Sequence, residues 1–338
     1  MRAPVLSLLL TGVATLAACG GGDKAAKPPA PALSVEAAAP LPAGRAPVAV
    51  AVGARDVWVL DQGDGALARV DPSTGRTRGR PVRVGRSPIA LAVGEGAVWV
   101  LDAATGVRRI DIDTGRPSGP PIDVDDPNGI AVGAGGVWVS SRTAGAVVRI
   151  DPETMRADPP VPVGAGPADV AVNGDSVWVA AADAGTVRRI DATTGELSDP
   201  VKVASGQVLA LATGDGSVWA AVSEDRLNER VRVVELDTES GEPEGPRIPI
   251  TGGVPLRLAV GNGVVWATDV GTTLPGAPRR EPALLKIAPD ADPPAVSRAV
   301  PVAGRPSAVA TGAGVVWVTD STRGTLTRVV LRPEAERP

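Results

Sequence analysis

Apolar positions in this chain come in short continuous runs punctuated by glycine. Ile89-Ala90-Leu91-Ala92-Val93 is followed, after a Gly-containing turn, by Ala97-Val98-Trp99-Val100-Leu101. Runs of this length, apolar on both parities, predict strands covered on both faces. Two more polar runs follow, Gly106-Val107-Arg108-Arg109-Ile110 and Pro121-Ile122-Asp123-Val124. The unit therefore reads as four short strands, A to D. Between C and D lies a turn such as Asp71-Pro72-Ser73-Thr74-Gly75, which recurs around Asp111, Asp151, Asp191 and Asp237. Asp opens that turn, Pro sets φ, and Gly takes the left-handed position. Too few carboxylates recur there for a calcium loop.

The unit repeats. Trp stands at 58, 99, 138, 178, 219, 266 and 317, a period near 40 residues. Eleven residues before each lies Pro47, Pro88, Pro127, Pro167, Val208, Pro255 or Pro306. That invariant spacing marks strands A and B as one rigid hairpin. Ala51, Ala92, Ala131, Ala171, Ala212, Ala259 and Ala310 also keep phase, followed two residues on by Gly53, Gly94, Gly133, Asn173, Gly214, Gly261 and Gly312. Asn as the only substitute for Gly predicts a positive-φ turn position. Four strands per unit and seven units predict an all-β fold, a single seven-bladed β-propeller of four-stranded blades. The last unit supplies only strands A to C, Ser307 to Leu331, and Glu36 to Ala43 aligns with the missing strand D. The N-terminal strand should thus join the last blade and close the ring, removing its open edges. One Trp per blade should fill the space between adjacent sheets.

Residues 1–18, MRAPVLSLLLTGVATLAA, join one Arg to an apolar stretch too short to span a bilayer, then small residues. Leu16-Ala17-Ala18-Cys19 resembles the bacterial lipoprotein box, which implies cleavage before Cys19 and its lipidation. Gly20 to Ser34, rich in Gly, Pro and Ala, cannot build a core and reads as a tether. The expected organisation is a signal peptide (1–18), a flexible tether (19–34), the propeller (35–331) and a C-terminal tail (332–338). The expected location is extracytoplasmic, lipid-anchored to a bacterial cell membrane.

Composition narrows the chemistry. The chain has no His, Tyr or Phe, one Cys and a formal net charge of −4. Without His there is no imidazole base, no Ser-His-Asp triad and no His metal ligand. Without basic character or Tyr and Phe platforms, nucleic acid is not an expected partner. With its one Cys lipidated, no disulfide is available, so packing alone must hold the fold.

The repeated phrase P-x-x-V-A-V-G-x-G-x-V-W-V, then V-x-R-I-D-P-x-T-G, resembles the YVTN/virginiamycin-B-lyase-like class of bacterial propellers, here as a lipoprotein. The resemblance covers Val35 to Leu331 and implies the propeller fold. Members of that class include binding propellers and a streptogramin lyase that uses a His base with a magnesium-binding acid. The catalytic His of that lyase has no counterpart in this chain.

Three features mark candidate sites on the face that carries the B–C and D–A loops. The longest B–C loops fall in neighbouring blades, 223–230 in blade 5 and 270–282 in blade 6. With the adjoining Arg257 they gather Arg226, Arg230, Arg279 and Arg280, side chains suited to an anionic partner. Second, three residues beyond Trp, blades 6, 7, 1 and 2 carry Asp269, Asp320, Asp61 and Asp102. Such an arc either receives a cationic group or divalent ion, or caps its own loops. Third, Asn128, Asp169, Arg257 and Ser307 break the apolar pattern at the start of strand A and should line an axial pocket. The function expected is that of a membrane-anchored, non-catalytic propeller, a monomer that binds an envelope protein or a small ligand on this face without cofactor or metal. The alternative is a lyase- or hydrolase-like enzyme using a carboxylate-bound divalent metal without His.

Overall fold

Each repeat folds as an antiparallel sheet whose strands follow chain order, and seven such sheets are present in the computed structural model. It describes residues 33–225, 230–250, 255–271, 281–291, 293–312 and 314–333. The expected signal peptide and Cys19 lie outside those residues, as does most of the tether. Blade 1 runs Pro47–Val52, Val57–Asp61, Ala66–Val70 and Val82–Arg83. Blade 5 has a longer outer strand, Pro243–Ile250. In blade 2 the fourth strand is reduced to one bridge, Val107 to Ile122, with hydrogen bonds both ways.

Ring closure follows the predicted route. Leu33–Ala37 pairs antiparallel with the last strand, Thr325–Pro333, from Leu33↔Pro333 to Ala37↔Val329. Leu41–Pro42 continues the pairing against Leu326 and Thr325. The outer strand thus begins a little before Glu36 and is interrupted once. Blade 7 takes its outer strand from one end of the chain and its inner three from the other, so the last strand, Thr325–Pro333, is paired on both sides.

Burial explains why one Trp per blade suffices. Every Trp is at most 3% exposed. Trp58 packs with Leu91, Val98, Val100 and Ile110 of blade 2, and Trp99 with Val137, Val139 and Val148 of blade 3. The same step repeats around the ring until Trp317 meets Val50, Val57 and Val59 of blade 1. Each indole therefore fills the wedge to the next blade. On strand C the residue opposite Trp is usually basic, and Arg69, Arg109 and Arg149 lie over the rings of Trp58, Trp99 and Trp138. These contacts shield the indoles where the wedge meets solvent.

The repeated Gly does a different job from the one its Asn substitute suggested. Of that set only Gly133 has positive φ, whereas Glu95, Ala134, Asp215 and Asn262, one residue later, are left-handed. Gly96, Gly135, Gly216 and Gly263 follow with positive φ, giving two-residue hairpins with both central residues left-handed. The earlier Gly is required by the neighbouring blade. A Cβ on Gly94 would stand 2.7 Å from Val132 Cγ1, and one on Gly312 2.5 Å from Val52 Cγ1.

Every strand A also carries a register shift just after its first residue, as between Pro127 and Gly129 or Pro167 and Asp169. A bulge breaks the two-residue alternation and re-aims side chains. Consecutive residues at the top of strand A consequently line the same axial space.

Candidate ligand site at the channel mouth

The axial cavity opens where the strand A bulges meet the B–C and D–A loops, and has a volume of about 530 Å³. Its wall is aliphatic: Val50, Leu91, Ile130, Val170, Leu211, Leu258 and Val309 occupy one repeat position and all contribute to the lining. One residue earlier, at the lip, stand Ala49, Ala90, Gly129, Asp169, Ala210, Arg257 and Ala308. Charge enters that ring only at Asp169 and Arg257. Both line the cavity, with Asn128, Arg142, Asp183 and Gln207 beside them. The polar side of the mouth thus belongs to blades 3 to 6, and the opposite side is apolar.

Asp169 is held from two directions. Its Oδ1 accepts from Val170 N at 3.0 Å and its Oδ2 from Leu211 N of blade 5 at 2.9 Å. It keeps partial contact with the channel yet lies deep within the protein. Burial pushes its carboxyl above the usual range, opposed by the charge of Arg257 and by the two backbone donors. Arg257 itself has an exposed side chain, while its N–H donates to Thr268 Oγ1 at 3.1 Å. Gln207 Nε2 donates to Asp183 Oδ1 at 3.1 Å, linking the loops of blades 4 and 5. The assembly presents acid, guanidinium and amide groups above an apolar tube.

Of the four strand A departures read from the sequence, Asn128, Asp169 and Arg257 line this mouth and Ser307 does not. The Ser307 hydroxyl donates to Pro47 O at 2.6 Å, tying blade 7 to blade 1. Asn128 makes a similar stitch, donating from Nδ2 to Ala168 O at 2.5 Å. Arg142, Asp183 and Gln207 escaped the sequence reading. Arg142 and Asp183 stand one and two residues beyond the B-strand position that was compared between blades, so a wider comparison would have exposed them.

The Asp arc is taken up by the backbone. Asp61 is 4% exposed, and its carboxylate accepts from Arg45 N, Ala46 N and Gly63 N at 2.8–2.9 Å. Asp102 accepts from Ser87 N, Ala104 N and Thr105 N, and Asp320 from Arg305 N, Thr322 N, Arg323 N and Thr322 Oγ1. Asp269 is 1% exposed and accepts from Gly271 N. These side chains cap their own B–C loops and, in blades 1, 2 and 7, also bind the preceding D–A loop. They are turned into the protein rather than offered to a cation. Among the described residues no three acidic or Cys side chains converge as a metal site.

Of the blade 5–6 arginines, Arg226, Arg279 and Arg280 lie outside the described residues. Arg230 is exposed and pairs with Asp225 at 3.3 Å, away from the cavity lining that holds Arg257.

No protein-family model matches the chain, and no curated protein matches it. Solved structures do. A streptogramin B lyase is 18% identical with a TM-score of 0.69, covering 89% of this chain and 98% of its own. Virginiamycin B lyase from Staphylococcus aureus is 16% identical with a TM-score of 0.68, covering 89% and 100%. Hydrazine synthase of Kuenenia stuttgartiensis is 18% identical with a TM-score of 0.67, covering 86% and 96%. At these identities the likeness concerns architecture alone. In fold, the chain is similar to the virginiamycin B lyase-like β-propellers.

Proposed function

We propose that this protein is a membrane-anchored, non-catalytic binding propeller that holds a small ligand at the axial mouth. The observation that carries the reading is the lip itself: five repeats place Ala or Gly there, and only Asp169 and Arg257 bring charge to that ring, with Arg142 and Asp183 beside them in the lining. A cavity of about 530 Å³ suits a small molecule. Opposite charges at the rim and an aliphatic tube beneath favour a mixed-charge ligand with an apolar body, a zwitterionic apolar amino acid in chemical class. The lyase- or hydrolase-like alternative needs carboxylates converging on a metal and a base other than His. The arc Asp61, Asp102, Asp269 and Asp320, engaged by backbone N–H groups, does not favour it. The anchor at Cys19 rests on the sequence alone.

The test is a thermal-shift series with apolar amino acids and their N-acetyl and amide derivatives. Members of the series should raise the melting temperature of the wild type, and removing the matching ligand charge or substituting Arg257→Gln should abolish the shift. A shift of equal size in Arg257→Gln, or none with any member, would contradict the assignment.

A further inference from the structure

The outer edge of blade 1 departs from every other blade. Between Gly75 and Arg86 the chain carries Arg76, Arg78, Arg80, Arg83 and Arg86 and no acidic residue. At the positions of Arg76, Arg78 and Arg83, blade 2 has Arg116, Ser118 and Asp123, and blade 4 has Glu196, Ser198 and Lys202. In a repeat protein the shared fold needs no such concentration, since the other blades close without it. All five arginines are exposed. The acids nearby are already engaged: Asp56 with Arg69 and Arg78, Asp71 with Arg78, and Asp113 with Arg55. Arg76, Arg80, Arg83 and Arg116 form no ion pair among the described residues. Arg80 and Arg116 flank a recess of about 490 Å³ between blades 1 and 2, floored by Leu67 and the edge of Trp58.

The position of this flank names its partner. Leu41, in the strand that closes the ring, sits against the C–D turn of blade 1, where a Cβ on Gly75 would be 2.5 Å from Leu41 Cδ1. The N-terminal strand that closes the ring therefore passes beside the turn from which the arginines start, and Cys19 precedes that strand by 14 residues in the sequence. The molecule as a whole carries a net −4, so an anionic membrane repels most of its surface and attracts this side. Attraction of this kind acts only within about 10 Å at ordinary salt, which tethering from an adjacent point makes attainable.

We infer that the arginine flank of blade 1 (Arg76, Arg80, Arg83 and Arg116) docks the propeller edge-on against anionic phospholipid headgroups. The inference rests on the lipid-anchor reading. Strand D is the outermost strand of its blade, so edge-on docking leaves the axial mouth uncovered.

Vesicle flotation of the full chain carrying Cys19→Ala tests it, with pure phosphatidylcholine compared against phosphatidylcholine containing one-third phosphatidylglycerol. Neutral vesicles report the apolar contribution of the leader, and because Arg2, Lys24 and Lys27 also favour anionic lipid, the change in the anionic-to-neutral ratio between parent and arginine variants isolates the flank. That ratio should be well above one, fall with added salt, and drop by about fivefold for each guanidinium removed in the series Arg76→Gln, Arg80→Gln, Arg83→Gln, Arg116→Gln. Unchanged melting of the quadruple variant establishes that it is folded. A ratio near one for the parent chain, or an undiminished ratio in the folded quadruple variant, overturns the proposal. So does Arg-dependent binding of inorganic polyphosphate without vesicle binding, which would assign the flank to a soluble anion. Incorporation of labelled palmitate into the wild type, compared with Cys19→Ala, reads the anchor separately. Absence of label would sink the anchor and leave the flotation ratio to be judged by itself.

Discussion

Asp102 and Asp169 are both carboxylates at the top of the same barrel of strands, and their surroundings give them opposite work. Asp102 is fully buried and accepts three backbone N–H bonds from two loops. Replacing it with Ala leaves those donors without a partner, so Asp102→Ala should lose about 3 kcal/mol in urea unfolding. Arg257→Gln, at an exposed side chain, should change stability by less than about 0.5 kcal/mol. Equal losses would mean that the cap and rim assignments are exchanged. Acid separates the carboxylates further. Asp111, Asp151 and Asp191 accept backbone N–H bonds from Thr114, Thr154 and Thr194, which hold their pKa values below the usual range, whereas burial raises that of Asp169. Carboxyl-carbon NMR should therefore show the turn aspartates titrating below about 3.9 and Asp169 above it. The stabilising part of the turns is present above that ordinary value and is lost as pH falls through their lowered ones. At Asp169 the sign reverses: acidification through its raised value relieves a buried charge. A common midpoint for all four would contradict the account.

The blade is the next scale, and here one missing methyl group decides how closely neighbours approach. Gly312→Ala places a Cβ 2.5 Å from Val52 Cγ1, and overpacking of this kind costs about 1–3 kcal/mol. Trimming the neighbour in a Gly312→Ala, Val52→Ala double variant should recover much of the loss in an unfolding cycle. Additive losses would show that the Gly serves its own hairpin instead. Strand order, the Trp wedges and the closing strand were readable from the chain because each is written in a repeated phase. The glycine's role was not, because its constraint comes from a residue in the following blade, Val132 for Gly94 and, across the seam of the ring, Val52 for Gly312. The Asp arc was ambiguous for a related reason. Its donors are backbone N–H groups of loops, which any residue supplies, so no side-chain pattern announces them. At the mouth the chain disclosed Asp169 and Arg257 as departures within one register. Arg142, Asp183 and Gln207 stand in the loops one or two residues outside the compared strand positions, so a comparison confined to the strands passes them by.

At the scale of the whole molecule, seven nearly equivalent blades build a tube that is apolar all round, and function enters where equivalence is broken. Blades 3 to 6 carry the polar mouth, blade 1 the cationic flank, and blade 7 the seam joining the two ends of the chain. The seam matters for the integrity of the ring: deleting residues 33–42 uncovers the edge of Thr325–Pro333 and should produce concentration-dependent association in light scattering that the full chain does not show. Occupancy of the mouth is read by native mass spectrometry of the full chain, purified from its producing cells in mild detergent, beside Asp169→Asn and Arg257→Gln. A wild-type protein carrying a non-covalent small-molecule adduct that both variants lack is the predicted result. A wild type without any adduct, or the same adduct retained at the same level in both variants, would contradict it.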